Sequence, residues 1–302
     1  DMHELAGENV LLNPDAVAAI KARHIAIKGP TSTPLGDGHR SYNVQLREVF
    51  DLYANVRPVR TLPGVKKPGM RADVNLIIFR ENLEDLYIGQ EREIEGGAEA
   101  VSRITRAGSA RIAEYAAWYM GSRYRKKIIV GAKSNILKMT HGLFQEECLR
   151  VFARCKVNAR HMIPNALAAQ LVAQPETFDC IILPNFLGDI FSDMCATFMG
   201  GLGVAPGANK GDVHAVFEAV HGTAPDIAGK GIANPTALIL SSSMMLEHIG
   251  EIDAAQRVRQ AVDAVYAAGT WLTGDMVPRG AAGVKTHVFA EAVCEELRKI
   301  KK

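Results

Sequence analysis

Arginines, hydroxyls and amides gather early in the chain in a pattern suited to holding a small polyanion. Ser41, Asn43 and Arg47 follow the glycine-rich stretch 29–38, Arg57 and Arg60 flank a proline and a valine, and Arg80 comes directly after the apolar run Leu76–Phe79. A guanidinium grips a carboxylate through two parallel hydrogen bonds, so several converging arginines favour a ligand with more than one carboxylate. Solvated surface arginines would give the same composition, and the residues alone leave both readings open. A second group follows the run Cys180–Leu183: Asp189 and Asp193 are four residues apart. On a helix that spacing stacks two hard oxygen ligands on one face, which suits Mg²⁺ or Mn²⁺; acidic residues favoured near a helix N-terminus are the competing explanation. A third group, Glu218–Asn234, is a tight run of small residues and backbone amides that would wrap an adenosine, or serve as a structural Ω-loop. No G-x-G-x-x-G follows a strand, which disfavours Rossmann-type dinucleotide binding.

The elements that must position these groups alternate between apolar β-rich runs and helical patterns, the mark of an α/β fold. Strands are predicted at His24–Lys28, Val56–Arg60, Asn75–Phe79, Lys127–Gly131 and Asp179–Leu183. Asn13 and Pro14 read as an N-cap and a first helical position, opening a helix to about Lys21. Further helices are predicted at Glu99–Tyr119, Gln145–Ala153, Pro235–His248, Ala254–Ala267 and His287–Lys299. Glycine and proline place loops at Gly29–Gly38, Gly200–Gly211 and His221–Pro235. The stretch from about Glu93 to Arg123 is expected to interrupt the sheet as part of a smaller domain.

With 302 residues the chain is long enough for one large domain or two. Its net charge of +2 offers nothing for a polyanionic partner such as nucleic acid. Five cysteines without C-x-x-C spacing argue against a disulfide framework or zinc ribbon and for a reducing compartment. The longest greasy stretch, Ala237–Leu246, holds three serines and is too short for a membrane span.

Taken in order, seven segments resemble the β-decarboxylating dehydrogenases, the family of isocitrate, isopropylmalate, homoisocitrate and tartrate dehydrogenases. They are KGPTSTP, the S-x-N-x-x-x-R helix, RPVR, FRENLEDLY, AKSNILK, NFLGDIFSD and EAVHGTAPDIAGKGIANP. The resemblance implies a two-domain isocitrate/isopropylmalate dehydrogenase-like α/β fold that is not a Rossmann fold. A large cofactor-binding domain would comprise residues 1–53 and 182–302, and a small substrate and dimerisation domain residues 54–181. It implies that Arg47, Arg57 and Arg80 clamp the malate portion of the substrate and that Ser41 and Asn43 receive the third carboxylate of isocitrate. Tyr87 would be the proton donor, and Lys133 would join it from across a dimer interface. Asp189 and Asp193 would bind Mg²⁺ or Mn²⁺. Thr33 would lie near the nicotinamide, and Glu218, His221, Gly222, Thr223, Ala224, Pro225, Asp226, Ile227 and Asn234 would bind the cofactor. Asp226 would accept hydrogen bonds from ribose hydroxyls and repel a 2′-phosphate, pointing to NAD. The expected activity is NAD-dependent oxidative decarboxylation of isocitrate to 2-oxoglutarate and CO₂ in a homodimer or larger oligomer with shared active sites. The expected location is the bacterial cytoplasm or the mitochondrial matrix. The alternatives are homoisocitrate dehydrogenase and a non-catalytic regulatory subunit.

Two departures qualify that expectation. Asn165 stands where the family carries an aspartate that reaches the metal from the opposite protomer. An amide can ligate a cation but brings no charge and cannot act as a base. Weakened metal binding, a non-catalytic role in a hetero-oligomer and an introduced substitution all remain open. The family's opening strand and GDGIG-type loop also have no counterpart before Leu11, so a first β-α unit is expected to be missing from the chain or from the recorded sequence.

Overall fold

The computed structural model describes residues 12–31, 41–64 and 69–300; Thr33 falls outside them. The first helix, α1 (Pro14–Arg23), starts where Asn13 accepts hydrogen bonds from the Asp15 and Ala16 amides at 2.8 and 3.2 Å, and ends on left-handed His24. Strand β1 (Ile25–Lys28) is followed by α2 (Tyr42–Val49), β2 (Ala54–Arg60) and β3 (Asn75–Glu81). A hairpin of β4 (Glu91–Ile94) and β5 (Gly97–Ala100) precedes α3 (Arg106–Ser122) and β6 (Lys127–Gly131). Next come α4 (Thr140–Arg154), β7 (Asn158–Met162), α5 (Pro164–Ala173), β8 (Cys180–Leu183) and α6 (Asn185–Ala196). The chain continues through β9 (Pro206–Lys210), β10 (Ala215–Ala219), α7 (Thr236–His248), α8 (Ile252–Ala268) and α9 (Thr286–Lys299).

Eight strands form one mixed sheet in the order β1-β10-β9-β2-β3-β8-β6-β7. The central strands are apolar without alternation because helices cover both faces: Leu76, Ile77, Ile78 and Phe79 are all buried, split between two core clusters on opposite faces. The expected boundary at 53/54 coincides with the start of β2 and that at 181/182 falls inside β8, while the sheet runs continuously through both segments.

Three sequence readings change. The helix expected from Glu99 begins only at Arg106, capped by Thr105, because Glu95 and Gly96 make a two-residue turn with Gly96 at φ 73° that folds β4 onto β5. The expected loop Gly200–Gly211 contains β9, which pairs with β10 on one side and β2 on the other and so joins the two halves of the sheet. The segment 93–123 does not interrupt that sheet: α3 packs on it, Ile112, Ala113 and Ala116 joining Ile77 and Phe79 in one core.

Glu81 gives the fold a pH dependence. Its carboxylate is buried and accepts the Leu83 and Glu84 amides at 2.9 and 2.8 Å. Burial outweighs those bonds and pushes its pKa up from 4.5 to about 7. Since the folded value is the raised one, its stabilising contribution is full below pH 4.5 and is lost as pH climbs through 7, by about 3 kcal/mol. Thermal melts should therefore show a loss of stability between pH 5 and 8 that Glu81→Gln reduces; equal slopes in both proteins would refute this.

Candidate active site

Arg57 and Arg80 lie side by side on one face of the sheet, on neighbouring strands. Arg57 sits in the middle of β2 and Arg80 near the end of β3. Helix α6 crosses that face so closely that a Cβ on Gly188 would stand 2.5 Å from Arg80 Cγ, so only glycine fits there. The crossing brings Asp189 and Asp193, one helical turn apart, against the arginines. Arg80 Nη1 is ion-paired with Asp189, Arg57 Nη1 donates to Asp193 at 2.7 Å and to Ser192 at 2.6 Å, and Arg57 Nη2 lies 3.6 Å from Asp189. The Tyr87 hydroxyl donates to Asp189 Oδ2 at 2.6 Å, and its ring lies 4.8 Å from the Arg80 guanidinium carbon.

The third arginine is buried on α2. Arg47 is 6 % exposed, and its Nε has no hydrogen-bond partner among the described residues. A buried donor left unpaired is costly, and an acceptor such as a carboxylate would satisfy it. On the same helix Asn43 Oδ1 accepts from Thr31 at 3.1 Å, while the Ser41 side chain makes no capping bond.

Burial dominates the electrostatics. It lowers the pKa of Arg47, and with help from Arg47 and Arg57 brings Arg80 down to about 9. Burial alone would raise Asp189, but Arg80, the Tyr87 hydroxyl and Arg57 together hold it below the usual carboxylate range. Asp193 is raised by burial, with Arg57 opposing and Asp189 adding to the rise. Burial also raises Tyr87 above 10 against the pull of Arg80, so its phenol stays protonated through neutral pH.

Three residues that sequence reasoning passed over hold this arrangement. Asn185, at the start of α6, accepts from Arg80 Nε at 3.0 Å and donates to the Glu84 carbonyl at 3.2 Å. Glu84 accepts the Thr105 amide at 2.9 Å and so anchors the start of α3. Asp85 accepts the Phe186 amide at 3.0 Å and the Ser102 hydroxyl at 2.6 Å, capping α6 from outside the helix. Its backbone is held at φ 64°, ψ −146°, a region nearly reserved for glycine. The signal was present in the FRENLEDLY motif itself, whose acids anchor two helix N-termini and deliver Tyr87 onto Asp189. Asp85→Ala should cost about 1–2 kcal/mol, read as a lower melting temperature that Asp85→Asn largely restores.

The other expected residues lie elsewhere. Lys133 Nζ contacts Asn165 Oδ1, and among the described residues neither makes a hydrogen bond or ion pair with the arginine–aspartate cluster. Glu218 is buried on β10, ion-paired with Lys28 at 2.5 Å and accepting from Asn209 at 2.7 Å, so it ties β1 to β10 beneath the loop it precedes. In that loop Gly222, Thr223, Ala224, Pro225 and Asp226 are exposed and His221 and Ile227 half-buried. Asn234 is buried, donates to Tyr266 and Asp275 at 3.2 and 3.1 Å, and accepts the Thr236 amide that opens α7. The loop is fastened to α9, whose Thr286 donates from its amide to Gly231 at 2.9 Å and from its hydroxyl to Ala233 at 2.6 Å.

Among the described residues no three His, Cys, Asp or Glu side chains gather at one point. Asp189 and Asp193 are hard donors on one helix face and fit a divalent cation that takes its remaining ligands from substrate, water or a second copy of the chain.

A sequence model of the isocitrate/isopropylmalate dehydrogenases matches residues 3–293. The chain belongs to that family. It is 41% identical over 295 residues to the alpha subunit of mitochondrial isocitrate dehydrogenase (NAD) of Macaca fascicularis, covering 97% of this chain and 83% of the relative. It is 42% identical over 294 residues to a regulatory subunit of mitochondrial isocitrate dehydrogenase (NAD) of Dictyostelium discoideum, covering 96% and 82%. The isocitrate dehydrogenase structure from Methylococcus capsulatus superposes with a TM-score of 0.90 at 44% identity, covering 95% of this chain and 85% of that one. As a member of the isocitrate/isopropylmalate dehydrogenase family the chain has the α/β fold expected from its motifs, and among the described residues no helix is long and apolar enough to cross a membrane.

Proposed function

We propose that this chain oxidises isocitrate with NAD and releases CO₂ to give 2-oxoglutarate, using Mg²⁺ or Mn²⁺. The observation that carries the reading is the convergence of Arg57 and Arg80 on Asp189, Asp193 and Tyr87, with the buried, unsatisfied Nε of Arg47 on the neighbouring helix. The arginines and aspartates neutralise one another, so a polycarboxylate and a divalent cation would each take over one half of an existing ion pair, sparing the site an uncompensated charge. Arg47, Arg57 and Arg80 would bind the malate portion, and Ser41 with Asn43 the third carboxylate. An isopropyl group in that place would leave a hydroxyl and an amide unpaired.

Asp189 and Asp193 would hold the cation, which when bound polarises the carbonyl oxygen left at C2 after oxidation. The loop from His221 to Asn234 would hold NAD, which would supply the acceptor for the hydride at C2. Tyr87, neutral and fixed by Asp189, would then donate its proton to C3 once the carboxylate there has left as CO₂. Lys133 and Asn165, in contact with each other and apart from this cluster, would serve the site of a second copy in a dimer. Asp226, exposed on its loop, would read the ribose and reject a 2′-phosphate. Free cysteines and relatives named as mitochondrial support a reducing compartment, either the matrix or a bacterial cytoplasm.

Steady-state assay of the purified chain with isocitrate and with homoisocitrate, each with NAD and NADP, tests the reading. NADH formation from isocitrate with Mn²⁺ is expected; faster turnover of homoisocitrate, or of NADP, would overturn the substrate or the cofactor assignment. Asn165 favours a second reading, a regulatory subunit, because an amide supplies neither charge nor base. No turnover with isocitrate still bound would establish that alternative. If the chain is active, Asn165→Asp should lower the Mn²⁺ concentration needed for half-maximal rate by about 10-fold or more, and superimposable titrations would show that position 165 does not reach the metal.

A further inference from the structure

On the sheet face opposite the arginine cluster lies a lysine that the proposed reaction does not use. Alternation along β9 turns Asn209 toward Asn55 and Glu218, and sends Lys210 to the other side with Val56, Ala208 and Phe217. Lys210 is 7 % exposed, and its Nζ lies 5.2 Å from the Phe217 ring centroid and 2.6 Å from Nδ1 of His248 on α7. Among the described residues no carboxylate pairs with it. Glu247, beside His248, is taken by Arg123 at the end of α3 at 2.9 Å and Arg259 of α8 at 3.0 Å, and Asp212 accepts from Tyr53. Burial, and after it the charge of Arg123, brings the ammonium down to about 7, while burial and then Lys210 lower His248. The groups facing Lys210 are therefore Phe217 from β10, Tyr115, Trp118 and Tyr119 from α3, Arg123 just after it, and Glu247 and His248 from α7.

A cavity of about 300 Å³ adjoins the amine, walled by Tyr115, Trp118, Phe217 and Met244, and His248 borders it. Arg123 and Glu247 line it, and because Glu247 is shared with Arg259 behind it, Arg123 leaves positive charge in excess at the rim. A buried lysine without a counter-ion, in contact with an imidazole and open to an aromatic cavity, is arranged as a nucleophile rather than as a structural cation. We propose that Lys210 is a carbonyl-reactive lysine, forming imines with small aromatic aldehydes that carry an anionic group. The free amine adds to the aldehyde carbon, and the nitrogen gives a proton to His248 Nδ1. His248 returns that proton to the oxygen, giving the carbinolamine; the second nitrogen proton follows the same route to the hydroxyl as the C–O bond breaks, so that water leaves, the C=N bond forms and no oxidant or reductant is consumed. The anionic group of the aldehyde would meet Arg123 at the rim.

Pyridoxal 5′-phosphate serves as the probe. The full chain is incubated with it, the imine is trapped with borohydride, and labelled peptides are mapped by mass spectrometry. One equivalent at Lys210 is expected, at a rate that rises through about pH 7 rather than near the value of about 10.4 for a free lysine. Lys210→Met should remove that equivalent, and His248→Asn should slow its formation by about 10-fold or more. Labelling confined to exposed lysines with Lys210 unmodified would overturn the assignment, as would a Lys210→Met protein that takes up the same label at the same rate. The wild-type map decides the matter even if a variant folds poorly, and it needs no turnover of isocitrate, so its outcome is separate from that of the dehydrogenase reading.

Discussion

Tyr87→Phe is expected to lower kcat for isocitrate by about 10²–10⁴-fold, the usual cost of removing a positioned proton donor, with KM nearly unchanged. The phenol is held above its ordinary value of 10 by burial and fixed by its 2.6 Å hydrogen bond to Asp189, while its ring rests beside Arg80. Phenylalanine keeps the ring and its packing and deletes only the proton. Conversion of added oxalosuccinate to 2-oxoglutarate should slow with overall turnover, because C3 would be left without its proton donor after CO₂ departs. Because burial raises this phenol from its ordinary value, the group should add no basic limb to activity near neutral pH. Unchanged turnover in the variant would remove Tyr87 from the mechanism.

Asp189→Asn should lower kcat/KM by about 10²–10³-fold and move the Mn²⁺ titration to higher concentration. This carboxylate is the hub of the cluster: it pairs with Arg80, lies 3.6 Å from Arg57 and accepts from Tyr87. Arg80, 1 % exposed, would lose its counter-charge, and stranding a buried charge costs about 3 kcal/mol at the low end of the known range. The variant should therefore also melt earlier, and added isocitrate, whose carboxylates would pair with Arg80, should recover part of that loss. A variant with wild-type metal titration and wild-type melting would show that Asp189 carries neither role.

Much of the site could be read in one dimension because its chemistry is local. Asp189 and Asp193 are neighbours through helical spacing alone, and Tyr87 follows Arg80 within one motif. The strands β3, β6 and β8 announce themselves as unbroken apolar runs because helices cover both their faces. Strand β9 was hidden because Pro206–Lys210 contains proline, glycine and asparagine, residues that disfavour strands in isolation. It forms because β2 and β10 supply partners on both sides for its backbone. The hairpin β4–β5 went unpredicted, with only the last two residues of β5 taken into the helix expected from Glu99, because four exposed residues per strand leave no apolar alternation to detect.

What the sequence determined by itself is therefore the α/β class and the inventory of charged groups, which follow from residue type and short spacing, together with the family, which its seven motifs resemble. Only the tertiary structure decided how those charges pair. Arg80 meets Asp189 and Arg57 meets Asp193 across separations of more than a hundred residues, Asp85 caps a helix that begins a hundred positions later, and Asn209 rather than Lys210 faces the site. The physical reason is that a buried charge or donor must find a partner wherever the sheet and its crossing helices bring one within hydrogen-bond reach. That choice depends on strand order and on which face a residue occupies, and neither is written in the spacing of the residues themselves.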